Sequence, residues 1–147
     1  MIPSTADRVP ANTAEHVNAC IRQKTEENVA RYAGAGPDAI ERRLRELDEE
    51  WDVERYVETL APTFTLAGMG LGLFVSRKWF ALPFVVQGFF LQHALQGWCP
   101  PVPVLRRLGV RTVAEIDRER NALKALRGDY AGLRDGSPAA ALRAAAH

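Results

Sequence analysis

The chain has 147 residues, 47% of them hydrophobic and 25% charged, with a formal net charge of +1. That length suits one modest domain, and the near-neutral balance offers no basic face for nucleic acid. Its two cysteines, Cys20 and Cys99, are too far apart in sequence to read as a disulfide framework or a zinc pattern.

The average composition hides a segregation of charge. Between Leu60 and Cys99 the only fixed charges are Arg77 and Lys78, with His93 adding one when protonated. In chain order, residues 1–11 are polar, Pro-bearing and expected to be loose, with no basic start and apolar run of a cleaved signal peptide. Asn12 or Thr13 suits the cap of a helix reaching about Ala33, with Val17, Ile21, Val29 and Tyr32 on a weak apolar stripe. Gly34-Ala-Gly36 stops it, and Pro37 suits the first turn of a second, largely acidic helix carrying Ile40, Leu44, Leu47 and Trp51 at helical spacing.

Near Glu58 the character changes. Two uncharged runs follow, Leu60–Val75 and Trp79–Cys99, separated by Ser76-Arg77-Lys78. At a rise of about 1.5 Å per residue, the second is long enough for a bilayer core of roughly 30 Å. The first is marginal, and Tyr56–Thr59 would extend it. Pro62 is expected in its first turn, where proline costs little. The short connection implies antiparallel packing. Arg42, Arg43, Arg45 and Arg55 precede the runs, and Arg106, Arg107, Arg111, Arg118 and Arg120 follow them. The positive-inside bias therefore places both termini in the cytoplasm, with Trp79 and Trp98 as interfacial aromatics. Pro100-Pro101-Val-Pro103 cannot continue a helix. Thr112 and Glu115 form a capping-box signature for a last helix with Ile116, Leu123 and Leu126 on its apolar stripe, ending near Gly128. The Ala-rich tail, residues 135–147, is expected to fray.

Three constellations stand out. Gly68, Gly72 and Ser76 form a small-residue row at four-residue spacing, which lets helix backbones approach closely in lipid, within the hairpin or between two chains. Gln92, His93 and Gln96 fall on one side of a helix and form a polar stripe, either interhelical hydrogen bonding or a polar path. Cys99 sits where an apolar helix meets a Pro-rich break, and it is the candidate reactive group if Arg106 and Arg107 fold back to supply positive charge. A Gly-rich phosphate loop with its lysine, HExxH and GxSxG are all absent, which argues against an ordinary hydrolase or nucleotide enzyme and implies no cofactor or metal.

Gly97-Trp98-Cys99-Pro100 followed by Leu108-Gly109-Val110-Arg111-Thr112 resembles the YgaP-like transmembrane domain family, whose members carry a helical hairpin ending in such a motif. The resemblance covers roughly Thr59–Thr112. It implies a membrane hairpin, a homodimer and kinship with sulfur metabolism. The rhodanese domain attached to well-known members has no counterpart in the charged flanking helices, so sulfurtransferase activity is not carried over.

Together these features describe an all-α protein: a two-helix transmembrane hairpin (59–112) flanked by amphipathic cytoplasmic helices (1–58 and 113–147) in a bacterial inner membrane. The expected role is a non-enzymatic, dimeric membrane subunit or scaffold whose partners are the lipid bilayer, a second copy and a protein docked on the cytoplasmic helices. Two alternatives stand beside it: a handler of a small sulfur or thiol species through Cys99, and a soluble helical interaction protein.

Overall fold

In the computed structural model, which describes residues 4–131, every regular element is helical. In chain order these are α1 (Arg8–Ala11), α2 (Glu15–Tyr32), α3 (Pro37–Glu49), α4 (Val53–Phe74), a 3-10 turn (Arg77–Phe80), α5 (Ala81–Gln96), α6 (Pro101–Arg107) and α7 (Val113–Arg127). The Ala-rich tail lies outside the described residues. The chain forms two compact units. One combines the stretch ending at Arg22 with Trp51–Ala114, and the other combines Gln23–Glu50 with the chain from Glu115 onward.

The first unit is organised by α4. Asp52 caps this helix by accepting the Arg55 N–H at 2.8 Å, and the Val53 N–H donates to the Arg111 carbonyl at 2.9 Å. The helix therefore starts at Val53 rather than Leu60, because a good cap outweighs the charge of the turns that follow it. One consequence corrects the expectation for Pro62, which sits inside the helix and not in its first turn. There it removes the amide that would bond the Glu58 carbonyl. Thr59, Thr63 and Thr65 turn their hydroxyls back onto the carbonyls of Arg55, Thr59 and Ala61 at 2.7, 2.7 and 2.8 Å.

Among the described residues, one helical stretch, ending at Phe74, is long and apolar enough to cross a membrane, and its apolar part is α4. The second apolar run is less regular than expected. Arg77–Phe80 winds as a 3-10 turn and only Ala81–Gln96 is α-helical, which makes α5 about 24 Å long. α4 and α5 pack against each other. A Cβ on Gly68 would lie 2.6 Å from Pro83 Cδ, and one on Gly72 would lie 2.8 Å from the Phe80 ring, so both glycines are needed for this approach within one chain. Gln87 Nε2 donates across to Thr65 Oγ1 at 2.8 Å. The outward side is crowded with bare apolar groups, among them Leu66, Leu73, Phe74, Phe84 and Leu91.

α5 ends at Gly97, whose φ of 76° is the left-handed conformation of a helix C-cap. A side chain there would also strike the Arg8 backbone, since a Cβ would stand 2.5 Å from its carbonyl carbon. The Pro-rich segment ends α5 as expected, but Pro101 then takes the first turn of α6, a helix the sequence reading missed. The N-terminal stretch is likewise not wholly loose. α1 carries Val9 into a core shared with Val53, Val57, Cys99, Val102 and Leu105. Arg106 is also enclosed here, donating to Thr13 Oγ1, Asn18 Oδ1 and the Val110 carbonyl at 3.2, 3.0 and 3.1 Å. Asn12 and Thr13 do not cap α2 with their side chains. They donate to the carbonyls of Gln96 and Val9, at 2.7 and 2.8 Å.

The second unit follows its hydrophobic pattern closely. Ile40, Leu44 and Leu47 of α3 meet Ile116 and Leu123 of α7, with Tyr32 packed alongside. α3 starts with Pro37 in its first turn, and Gly128 ends α7 with a φ of 91°. Charge stitches the two helices together. Fully buried Glu119 accepts from Arg43 Nε at 2.8 Å and from Asn28 Nδ2 at 3.4 Å. Arg120 pairs with Asp117 and Asp48, and Arg127 with Glu41 and Asp129. Glu119 and then Glu46 hold the Arg43 guanidinium charged against the burial that opposes it.

Candidate functional site

The charged end of the α4–α5 pair brings together residues that sequence distance keeps apart. Glu54 comes from the first turn of α4, His93 from the last turn of α5, Arg8 from the start of α1, and Cys99 from the segment just beyond Gly97. His93 is 1% exposed and Cys99 3%. Glu54 is held at both oxygens: Oε1 accepts from Arg8 NH2 at 2.9 Å, and Oε2 lies 2.8 Å from His93 Nε2. Arg8 NH1 donates to the Ala94 carbonyl at 2.5 Å, placing a cation at the carbonyl end of α5, where the helix dipole favours it. Burial alone would raise the Glu54 carboxyl, but the His93 and Arg8 pairs overcome it and hold the group below its ordinary value of 4.5.

This network fixes the imidazole tautomer. A carboxylate only accepts, so Nε2 carries the proton it shares with Glu54. Nδ1 is buried and makes no hydrogen bond. The Glu54 carboxylate therefore orients a buried imidazole at the charged end of the two helices. Beside Cys99 runs an apolar groove of about 180 Å³, walled by Val57, Ala61 and Phe64 of α4 and by Phe89 and Phe90 of α5. Phe89 is braced edge-on by Trp98, with ring centroids 6.3 Å apart.

The expected site residues are distributed differently from the sequence reading. Of Gln92, His93 and Gln96, only His93 is enclosed. Gln92 is half-buried and the Gln96 side chain is exposed, so the three do not form one continuous polar path. Gly68 and Gly72 are spent on packing inside the chain, and Ser76 is half-buried ahead of the 3-10 turn. Arg106 donates to Thr13, Asn18 and Val110, and Arg107 is exposed. Cys20 is exposed. Sequence reasoning missed Glu54 and Arg8. The available signal was that His93 is the one histidine of the apolar runs and needs a partner at such depth.

Among the described residues no group of His, Cys, Asp and Glu is placed to hold a metal ion. No family model, curated protein or solved structure matches the chain.

Proposed function

We propose that this chain is a membrane protein whose α4–α5 hairpin sits in the bilayer, with both termini in the cytoplasm. The observation that carries this reading is the bare apolar outside of α4 and α5: Phe74, 88% exposed, and Phe84, 82% exposed, have no protein cover. Apolar patches of this extent are rare on soluble monomers and mark membrane or protein contacts. Lipid supplies the cover in this reading, and the length and apolarity of α4 agree with a span. α5 is short for a full span, and the 3-10 turn with Trp79, Arg77 and Lys78 supplies the interfacial end. At the other end Trp51 stacks under the Arg55 guanidinium, 4.4 Å from the ring centre, beside Tyr56. The arginine-rich flanks favour cytoplasmic termini. Alkaline carbonate should leave the protein in the membrane pellet, and reporters at Asp38 and His147 should both read cytoplasm. Extraction into the supernatant, or reporters on opposite sides, would overturn the reading.

Scaffolding is the plainest role for such a chain, with the α3 and α7 faces available to a cytoplasmic protein and a second copy available in the bilayer. A specific observation favours a chemical role beside it. The buried Nδ1 of His93 has no hydrogen bond, while Glu54 fixes the opposite side of the ring. Cys99 acts in this reading as a nucleophilic thiol at the membrane surface, and its neighbourhood to sulfur metabolism rests on the motif resemblance alone. In this reading alkylation of Cys99 in a Cys20→Ser background should slow in His93→Gln. An unchanged rate would leave Cys99 as core packing.

A further inference from the structure

We infer that α6 is an interfacial helix in the headgroup layer of the cytoplasmic leaflet, with Val104 and Leu108 against lipid and Arg107 paired with the phosphates of anionic phospholipid. This inference rests on the reading of α4 and α5 as a bilayer-embedded hairpin.

The helix has two opposed faces. Val102, Leu105 and Arg106 are buried in the first unit. Val104, Arg107 and Leu108, the last of them the C-cap, are exposed. With 3.6 residues per turn the two sets centre about 180° apart. Val104 is 57% exposed and Leu108 76%. Scattered apolar residues are ordinary on a surface, so their grouping and their place carry the argument. Aliphatic side chains on either side of an arginine suit a helix at a membrane–water boundary.

The place is set at both ends of α6. Its first residue, Pro101, lines the apolar groove together with Pro100, Ala61, Phe64 and Phe89, and Phe64 is 50% exposed. The helix thus begins against the side of the hairpin that lipid covers. Just past its other end the Arg111 carbonyl accepts from the Val53 N–H, which sets that end beside the start of α4, where Trp51 and Arg55 are exposed. Seven residues make α6 about 10 Å long, comparable with a headgroup layer of about 5–8 Å on each side of the hydrocarbon core. Charge then selects the lipid. Between Gly97 and Thr112 there are three arginines and no Asp or Glu. Arg106 and Arg111 are buried, which leaves Arg107 facing outward to an external anion, and anionic headgroups attract arginine at this depth. The hairpin already holds α6 at the surface, so lipid charge has only to set how closely its outer face sits.

The test uses the full chain, Cys20→Ser and Cys99→Ala, in vesicles of phosphatidylcholine alone and of phosphatidylcholine and phosphatidylglycerol in equal parts. A nitroxide replaces Val104, Leu108 or, as the hairpin control, Phe84, all of them exposed positions, and its accessibility to a neutral nickel chelate is read. In the anionic vesicles the chelate should reach the Val104 and Leu108 labels about fivefold less than in phosphatidylcholine, the effect of one arginine at an anionic surface. Arg107→Gln should remove that difference, Arg107→Lys should keep it, and the Phe84 label should stay shielded throughout. If Phe84 is shielded and both α6 labels are open to the chelate in either vesicle, the assignment of α6 is overturned and the hairpin stands. Shielding of α6 that is equal in the two vesicles would overturn the pairing of Arg107 with anionic lipid, and spin–spin broadening would then seat a second copy on this face. If the chelate reaches Phe84 freely, the hairpin reading falls and the inference falls with it.

Discussion

Both units of the molecule pair a carboxylate with an arginine, but they surround the pair differently. In the second unit Glu119 is fully enclosed and bound by Arg43, and the helices around it carry further ion pairs on their outer faces. In the first unit Glu54 is shared between Arg8 and His93, and the helices leading away from it carry bare apolar groups on their outward side. The same local chemistry thus closes a core in one place and orients a buried imidazole in the other. What differs is the remaining nitrogen: His93 keeps a buried Nδ1 without a hydrogen bond, whereas Arg43 spends its donors on Glu119 and Glu46.

The largest effect that tests this contrast is in the second unit. Glu119→Ala should cost about 3 kcal/mol, because it strands Arg43, whose side chain is 18% exposed. Chemical denaturation monitored at Tyr32 should show the loss, while alkylation of Cys99 should be unaffected. A loss under 1 kcal/mol would show that the pair holds register and adds little stability. Next comes the α4–α5 pair. Gly68→Leu should cost about 2 kcal/mol by overpacking Pro83, read as a lower melting temperature in detergent. If stability is unchanged and a crosslinked dimer disappears instead, the glycine row faces a second copy.

The smooth pattern of the second unit explains why it was legible in sequence. Ile40, Leu44 and Leu47 recur at helical spacing and meet Ile116 and Leu123 as that pattern demands. The first unit was legible as two apolar runs and not as a site. Its helix starts where Asp52 caps it, and hydrophobicity does not report caps. The link from Glu54 to His93 crosses 39 positions, and no periodicity within either helix encodes it. Pro100 and Pro101 read correctly as a break after α5, but the same rule left α6 unseen, because proline that ends one helix also suits the start of another.

A smaller, pH-dependent effect separates the units further. The Glu54 carboxyl is held below 4.5 when folded, so its share of stability is complete above that value and is lost as pH falls through the lowered folded value. Melting temperature in detergent should therefore fall under acid conditions, and Glu54→Gln should flatten that fall. A fall of the same size in Glu54→Gln would assign the acid response to other carboxylates. The smallest effect belongs to Gln87→Leu, which removes the bond to Thr65 and should cost about 0.6 kcal/mol, typical of one hydrogen bond between helices in lipid. A cost above 2 kcal/mol would point to a dry protein interface around Gln87 in place of lipid.

The claim on which the rest depends is that the bare outside of α4 and α5 lies in lipid, and the most direct measurement is collision accessibility of a nitroxide in vesicles. A label replacing Phe84 should be reached readily by molecular oxygen and poorly by a water-soluble nickel chelate, and a label at Arg45 in the charged unit should show the reverse. Equal access of the chelate to both positions would contradict a bilayer-embedded α5 and leave the soluble helical protein as the account of this chain.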